Sequence, residues 1–210
     1  MWNLDRTKIL TPGEVARVLP DLKRRARRSL NSRQNLVIFR LATCCGLRVS
    51  ELIGLRIGDV RVGVEKPYIL VRAEVAKRRK ARRVPLWWDQ GTLDDLTAWR
   101  GQRTGQGAGP ADPFVCSQAS STVGKPLDRQ NARARFKVAC RVLGAERTAG
   151  LTIHHGRHTF ASFALARGVS PVAVQQALGH SSLSITNVYA HLLDDDGADG
   201  NLFGLVPTET

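Results

Sequence analysis

The sequence predicts a mainly α-helical fold with a small antiparallel β-sheet (α+β), and three observations support this. Apolar residues recur at helical spacing between N-cap signals and glycine stops. Two β-rich runs, residues 68–73 and 82–86, flank a basic segment in the manner of a hairpin. With 210 residues, 42% hydrophobic and 24% charged, the chain can bury one core but is short for a second full domain.

The elements follow in order. Thr11-Pro12-Gly13-Glu14 reads as a capping box with proline at the first helical position, and Pro20 is expected to end that helix. Residues 21–30 carry Lys23, Arg24, Arg25, Arg27 and Arg28, as a basic helix or a solvated basic surface. Over residues 33–45, Leu36, Val37, Ile38, Leu41 and Ala42 predict a buried helix stopped by Gly46, leaving Arg48 just past a helix end. Ser50 and Glu51 begin a short helix that Gly58-Asp59 closes. After the hairpin comes a helix over 89–100, then a mobile surface loop at about 101–113, rich in Gly, Gln and Pro, and a short-strand candidate over 114–117. Helices are expected over 128–143, 153–167 and 170–178, the last entered by Ser170-Pro171 and stopped by Gly179. A further helix over 183–193 would hold Tyr189. Residues 1–193 would form a single domain, followed by a tail, 194–210, whose Leu202, Phe203, Leu205 and Val206 need an apolar partner surface.

Thirty-two Lys and Arg against 18 Asp and Glu give a net charge of +14, which a polyanionic partner explains most economically. Solubility or membrane attraction would be the alternative uses of such charge, but no apolar run of about 20 residues supports a membrane. Cys44, Cys45, Cys116 and Cys140 contain no CxxC pair, and no secretory leader is recognisable, so reduced thiols in a cytoplasmic protein are expected. The Cys44-Cys45 pair lies in an apolar run and reads as core.

Four segments carry chemistry. In Leu151-Thr-Ile-His154-His155-Gly156-Arg157-His158, His154 and Arg157 share a helical face, so an imidazole and a permanent cation can address one phosphate. His154 and His158 also have a metal-ligand spacing, with no carboxylate or cysteine nearby; satisfied structural histidines are the other reading. In Gly46-Leu47-Arg48-Val49-Ser50-Glu51, Arg48 lies three residues before Glu51, a spacing equally suited to a salt bridge that holds the corner. Lys77-Arg78-Arg79-Lys80-Ala81-Arg82-Arg83 places six basic residues in seven positions at the hairpin, either as a finger for a nucleic-acid groove or as a solvated turn. Finally, Leu178-Gly179-His180 leads to Ile185-Thr-Asn-Val-Tyr189-Ala-His191. Tyrosine has a pKa of roughly 10, so as a nucleophile it needs a base and a charge-neutralised phosphate; taken alone, Tyr189 is as well explained as a buried ring.

With these segments assembled, GLRVSEL, AKRRKARRVPL, HHGRH, LGH and ITNVYAHL resemble, in order, the Arg, Lys, His-x-x-Arg, His/Trp and Tyr motifs of the tyrosine recombinase (phage integrase) catalytic domain, across most of residues 11–193. The resemblance implies that fold and a site-specific DNA-breaking and rejoining enzyme that needs no metal, nucleotide or other cofactor. It implies that Arg48 and Arg157 clamp the scissile phosphate, Tyr189 attacks to form a 3′-phosphotyrosyl ester, Lys77 protonates the leaving 5′-oxygen, His154 accepts a proton and His180 hydrogen-bonds the phosphate. Glu51 would support this set. Arg78, Arg79, Lys80, Arg82 and Arg83, with Lys23 and Arg24, would contact double-stranded DNA, and the protein would be a monomer alone and a tetramer on DNA, in the cytoplasm of a prokaryotic cell or encoded by a mobile element. A type IB topoisomerase, or a DNA-binding accessory protein of the same fold without turnover, would share much of this pattern.

Three departures stand out. Ala76 and Arg78 replace glycines that often flank the lysine, which makes Lys80 a second candidate for the acid. Gly156 replaces a usually apolar residue, at up to about 1 kcal/mol of helix propensity. Only about ten residues precede the first expected helix, so the N-terminal core-binding domain of the family is expected to be absent.

Overall fold

The computed structural model describes residues 6–76, 79–180 and 203. Helix α1 (Pro12–Ala26) starts at the expected capping box, in which the Glu14 amide donates to Thr11 Oγ1 and the Thr11 amide to Glu14 Oε2 at 2.8 Å. It does not stop at Pro20. Pro20 and Ala16, whose carbonyl loses its helical donor, both face solvent, where water can take the donor's place. The expected break at Pro20 is thus corrected: the basic stretch is the second half of one helix, with Val15, Val18, Leu19 and Leu22 buried beneath it.

Helix α2 (Leu30–Phe39), capped by Ser29, runs directly into a π-helical turn at Arg40–Cys44. This segment packs against α1 and four helices defined below. Arg40 is buried and held by Asp95 at 2.8 Å and Asp89 at 3.1 Å. Cys44 and Cys45 are buried free thiols, as a core position requires. Helix α3 (Val49–Ile53) then stops at Gly54, short of the expected Gly58-Asp59, which lies in a 3-10 turn.

The sheet has three antiparallel strands in the order β1 (Val60–Arg61), β2 (Tyr68–Val71) and β3 (Arg82–Pro85). The register pairs Val60 with Ile69 and Ile69 with Val84, so these apolar side chains share the core face. On the other face the Arg83 guanidinium lies 4.6 Å from the centre of the Tyr68 ring.

Helix α4 (Gln90–Gly105) is capped by Asp89 and continues past the expected end at residue 100, so residues 101–105 of the expected loop are helical. The rest of that loop is tied down: the Gly58 amide donates to the Pro110 carbonyl at 2.8 Å and the Ile57 amide to the Asp112 carbonyl at 3.0 Å. Residues 114–117 form no named strand: Cys116 bridges to Pro126, the Phe114 amide donates to the Leu55 carbonyl at 2.8 Å, and the buried Trp99 indole donates to the Phe114 carbonyl at 2.7 Å.

Helices α5 (Arg129–Ala139), α6 (Ala145–Gly150), α7 (Ile153–Ala166) and α8 (Pro171–Leu178) complete the described fold. The expected helix over 128–143 is therefore α5 plus a 3-10 turn at Arg141–Leu143, and α6 was not foreseen. Phe136 of α5 stacks on Phe39 of α2, and the Leu10 amide donates to Thr159 of α7, which closes the chain's early and late parts on one core. Gly156 lets α7 lie directly on the π turn, since a Cβ there would meet Thr43 Oγ1 at 2.8 Å and Ala42 backbone at 3.2 Å. From the tail, Phe203 is buried on Phe163 with ring centres 5.0 Å apart, and its amide donates to Asp89 Oδ1 at 3.3 Å. The expected helix over 183–193, and with it Tyr189, lies outside the described residues.

Candidate active site

The π turn is followed, after its cap Cys45, by Gly46, whose φ of +63° excludes most side chains and whose added Cβ would come within 2.7 Å of Phe160. This leaves the Gly46 carbonyl open to α7. Arg157, almost fully buried on α7, donates through Nη1 to that carbonyl and through Nη2 to the Leu178 carbonyl, each at 2.5 Å. One planar guanidinium therefore joins the end of the π turn, α7 and the end of α8.

Next to it, Arg48 occupies the N-cap of α3. Glu51, one turn later, accepts from the Arg48 amide at 2.9 Å and from Arg48 Nη1 at 3.0 Å. It also accepts two bonds from Arg82, at 2.9 and 2.7 Å, in a bidentate pair. Burial alone would raise the Glu51 pKa, but the Arg82 hydrogen bonds and charge, the Arg48 amide and the charge of Arg157 outweigh it and bring it down to about 2. Glu51 is thus a fixed anion that orients two guanidiniums. Arg82 also donates to the Ala177 carbonyl at 2.7 Å, so β3 is fastened to α8.

His180 follows the left-handed Gly179, where a Cβ would press on Arg82 Cδ at 3.0 Å. Its amide donates to the Gln175 carbonyl at 3.1 Å, which sets the backbone direction at the helix end. Burial, reinforced by the charges of Arg157, Arg48, Arg82 and His158, lowers its pKa to about 3, so the imidazole is neutral at physiological pH. His158 is half-buried, and burial with the charges of His154, His155 and Arg157 brings its pKa to about 4. The exposed His154 stacks on it with ring centres 6.1 Å apart. His155 faces away from this pair's role: its Nδ1 accepts from the Thr152 amide at 3.0 Å and caps α7. Among the described residues, no group of three or more His, Cys, Asp or Glu side chains is arranged to hold a metal ion.

A cleft of about 780 Å³ opens over this frame, lined by Arg48, Lys80, Arg82, Arg83, Gln175 and His180 among others. The fold therefore brings together Arg48, Arg157 and His180 from three distant segments, with His154 on the same helix as Arg157. Lys80 reaches the cleft, whereas Lys77 and Arg78 lie outside the described residues. Arg79, exposed, takes φ 51°, the strained side of backbone space, at the hairpin tip. Arg82, expected as a groove-contacting finger residue, lines the cleft with its fork bound inward by the buried Glu51 carboxylate. Lys23 and Arg24 are exposed on the last turns of α1, Arg24 pairing with Asp21 at 2.6 Å, and do not line the cleft.

This helical frame, with its basic hairpin and cleft, has the fold of recombinase catalytic domains. The structure of XerA recombinase superposes with a TM-score of 0.70 at 25% identity, over 89% of this chain and 61% of that one. A XerH site-specific recombinase bound to a palindromic difH substrate gives a TM-score of 0.66 at 23% identity, over 87% of this chain and 49% of that one, a likeness of fold. In sequence, the chain is 30% identical over 193 residues to a tyrosine recombinase of Pseudothermotoga lettingae, covering 90% of this chain and 58% of that protein. It is 35% identical over 152 residues to the tyrosine recombinase XerC of Herpetosiphon aurantiacus, covering 71% of this chain and 45% of that protein. The model of the phage integrase family matches residues 8–196, and the chain belongs to that family. It spans about half the length of the relatives it matches.

Proposed function

We propose that this chain is a catalytic domain that cuts and rejoins double-stranded DNA at specific sites by transesterification. The observation that carries the reading is the anchored pair of guanidiniums: Arg48 held by Glu51 and Arg157 held by two carbonyls, beside the neutral His180. Two fixed cations and an imidazole donor are suited to the oxygens of a phosphodiester, where negative charge grows in the transition state. Tyr189 Oη attacks the phosphorus and gives its proton to His154. The bond from phosphorus to the 5′-oxygen breaks, and that oxygen takes a proton from Lys77, with Lys80 as the second candidate. The product is a 3′-phosphotyrosyl ester and a 5′-hydroxyl. Attack by a 5′-hydroxyl from another strand reverses these transfers, and one ester replaces another without nucleotide or metal. On DNA the reaction calls for several copies, and we assign a monomer in solution and a tetramer on the recombining sites. The buried free thiols accord with a reducing, cytoplasmic setting. No helix among the described residues is long and apolar enough to cross a membrane.

The test is a denaturing-gel assay for a covalent protein-DNA adduct on a pool of nicked duplexes of varied sequence, with EDTA present. Wild type should form an adduct and Tyr189→Phe none. An adduct that survives in the mutant would refute the assignment of Tyr189. Salt-dependent DNA binding without any adduct in the wild type would instead favour a binding protein of this fold.

A further inference from the structure

At the end of α8 each carbonyl from Gln175 to Leu178 has its own donor. The Gly179 amide donates to the Gln176 carbonyl and the His180 amide to the Gln175 carbonyl, each at 3.1 Å, with Gly179 left-handed at φ 65°. This is a Schellman ending, and it leaves the next two carbonyls without a helical partner. Arg82 takes the Ala177 carbonyl at 2.7 Å, and Arg157 takes the Leu178 carbonyl at 2.5 Å. Two guanidiniums of the site are therefore seated on the helix end that leads to His180.

One further bond goes beyond what a helix ending requires. Gln175 Nε2 donates to the His180 carbonyl at 3.3 Å. Since the Gln175 carbonyl already accepts from the His180 amide, one residue holds both backbone polar groups of His180, from five positions earlier. Each peptide unit is planar, so holding the amide on one side of Cα and the carbonyl on the other fixes φ and ψ between them. The direction in which the imidazole leaves the backbone is fixed with them. Gln175 is half-buried and lines the cleft together with Arg48 and His180.

We propose that Gln175 is a positioning residue for strand cleavage, its side-chain amide fixing the His180 backbone so that the imidazole meets the phosphate beside Arg48 and Arg157. The proposal rests on the DNA-cleaving reading given above. Gln175 acts here through His180 and needs no contact with DNA of its own. Its removal therefore has no further effect once the imidazole is gone. A glutamine that merely closed α8 would act on stability and be indifferent to the side chain at position 180.

The experiment uses the full chain with Gln175→Met, which keeps the side chain's length and helix propensity but has no donor. In carbon-13-edited NMR of the free protein, the Cε1–H resonance of His180, identified by its loss in His180→Ala, should move in Gln175→Met. That of His155, which caps α7, should stay. An unmoved His180 resonance overturns the proposal whatever the enzyme does. Covalent adduct formation is then timed on a nicked duplex at saturating DNA. Gln175→Met should slow it about tenfold with unchanged DNA affinity, and the double variant with His180→Ala should be no slower than His180→Ala alone. If the two losses multiply, or the methionine variant loses affinity instead of rate, Gln175 acts independently of His180 and positioning is overturned. A wild-type rate in Gln175→Met sinks the proposal and leaves the functional reading standing. A wild type that forms no adduct takes down both.

Discussion

The guanidinium of Arg48 is set by a buried carboxylate. Glu51 is buried and shared between Arg48 and Arg82, so removing Arg82 leaves an anion in the core with half its partners gone. Breaking a buried pair in this way costs about 3 kcal/mol or more. Arg82→Ala should therefore shift the urea midpoint down with an unchanged slope, and an unaltered midpoint would show that Glu51 is satisfied without it. The titrating groups act in separate windows. His158 and His180 are held neutral in the fold, with values near 4 and 3, but take up protons near 6.5 when unfolded. The unfolded chain binds more protons below pH 6.5, so stability falls as pH drops through that value towards the folded ones. Glu51 has the same proton balance in a lower window: its contribution is present above its unfolded value of 4.5 and is lost as pH falls from there through about 2. Thermal unfolding followed from pH 8 to pH 5 should show a declining midpoint below 6.5, less steep in His158→Gln; a flat wild-type curve would contradict the buried neutral imidazoles.

At the level of elements, the π turn and α7 form one joint, and Gly156 is the contact. Alanine is the better helix former by about 1 kcal/mol, which alone favours Gly156→Ala. Its methyl group would nevertheless press on Thr43 Oγ1 at 2.8 Å and on Ala42, which are backbone and a short side chain with little room to yield. Overpacking of this kind costs about 1–3 kcal/mol, so a net destabilisation is expected in denaturant melts, and a stabilised variant would show that α7 can lift off freely. The same joint shows where sequence reading stops. Capping residues announced α1 and α8 because caps act locally, and the motifs around Arg48, Arg157 and His180 marked the residues that the fold assembles. Pro20 misled because a proline ring on a wet helix face breaks a bond that water replaces. The π turn was hidden because one extra residue in a turn leaves an apolar run looking α-helical. β1 has only two residues and α6 six, too short for any periodicity. Arg82 was indistinguishable from its basic neighbours, since what selects it is Glu51, thirty-one positions earlier.

For the whole molecule, a net charge of +14 supplies long-range attraction to any polyanion, and the cleft gathers part of that charge in Arg48, Lys80, Arg82 and Arg83. The frame beneath is strongly non-local. Leu10 is bonded to Thr159 across 149 positions, and Arg157 reaches Gly46 across 111 and Leu178 across 21. During synthesis a ribosome releases residue 48 long before residue 178, so a half-made chain carries Arg48 without the helix that completes its pocket. A polypeptide abandoned early, by a stalled ribosome or a nonsense codon, therefore holds Arg48 without the guanidinium of Arg157 seated on its two carbonyls. The long reach of one guanidinium thus means that the joint between the π turn, α7 and α8 can close only after residue 178 has left the ribosome.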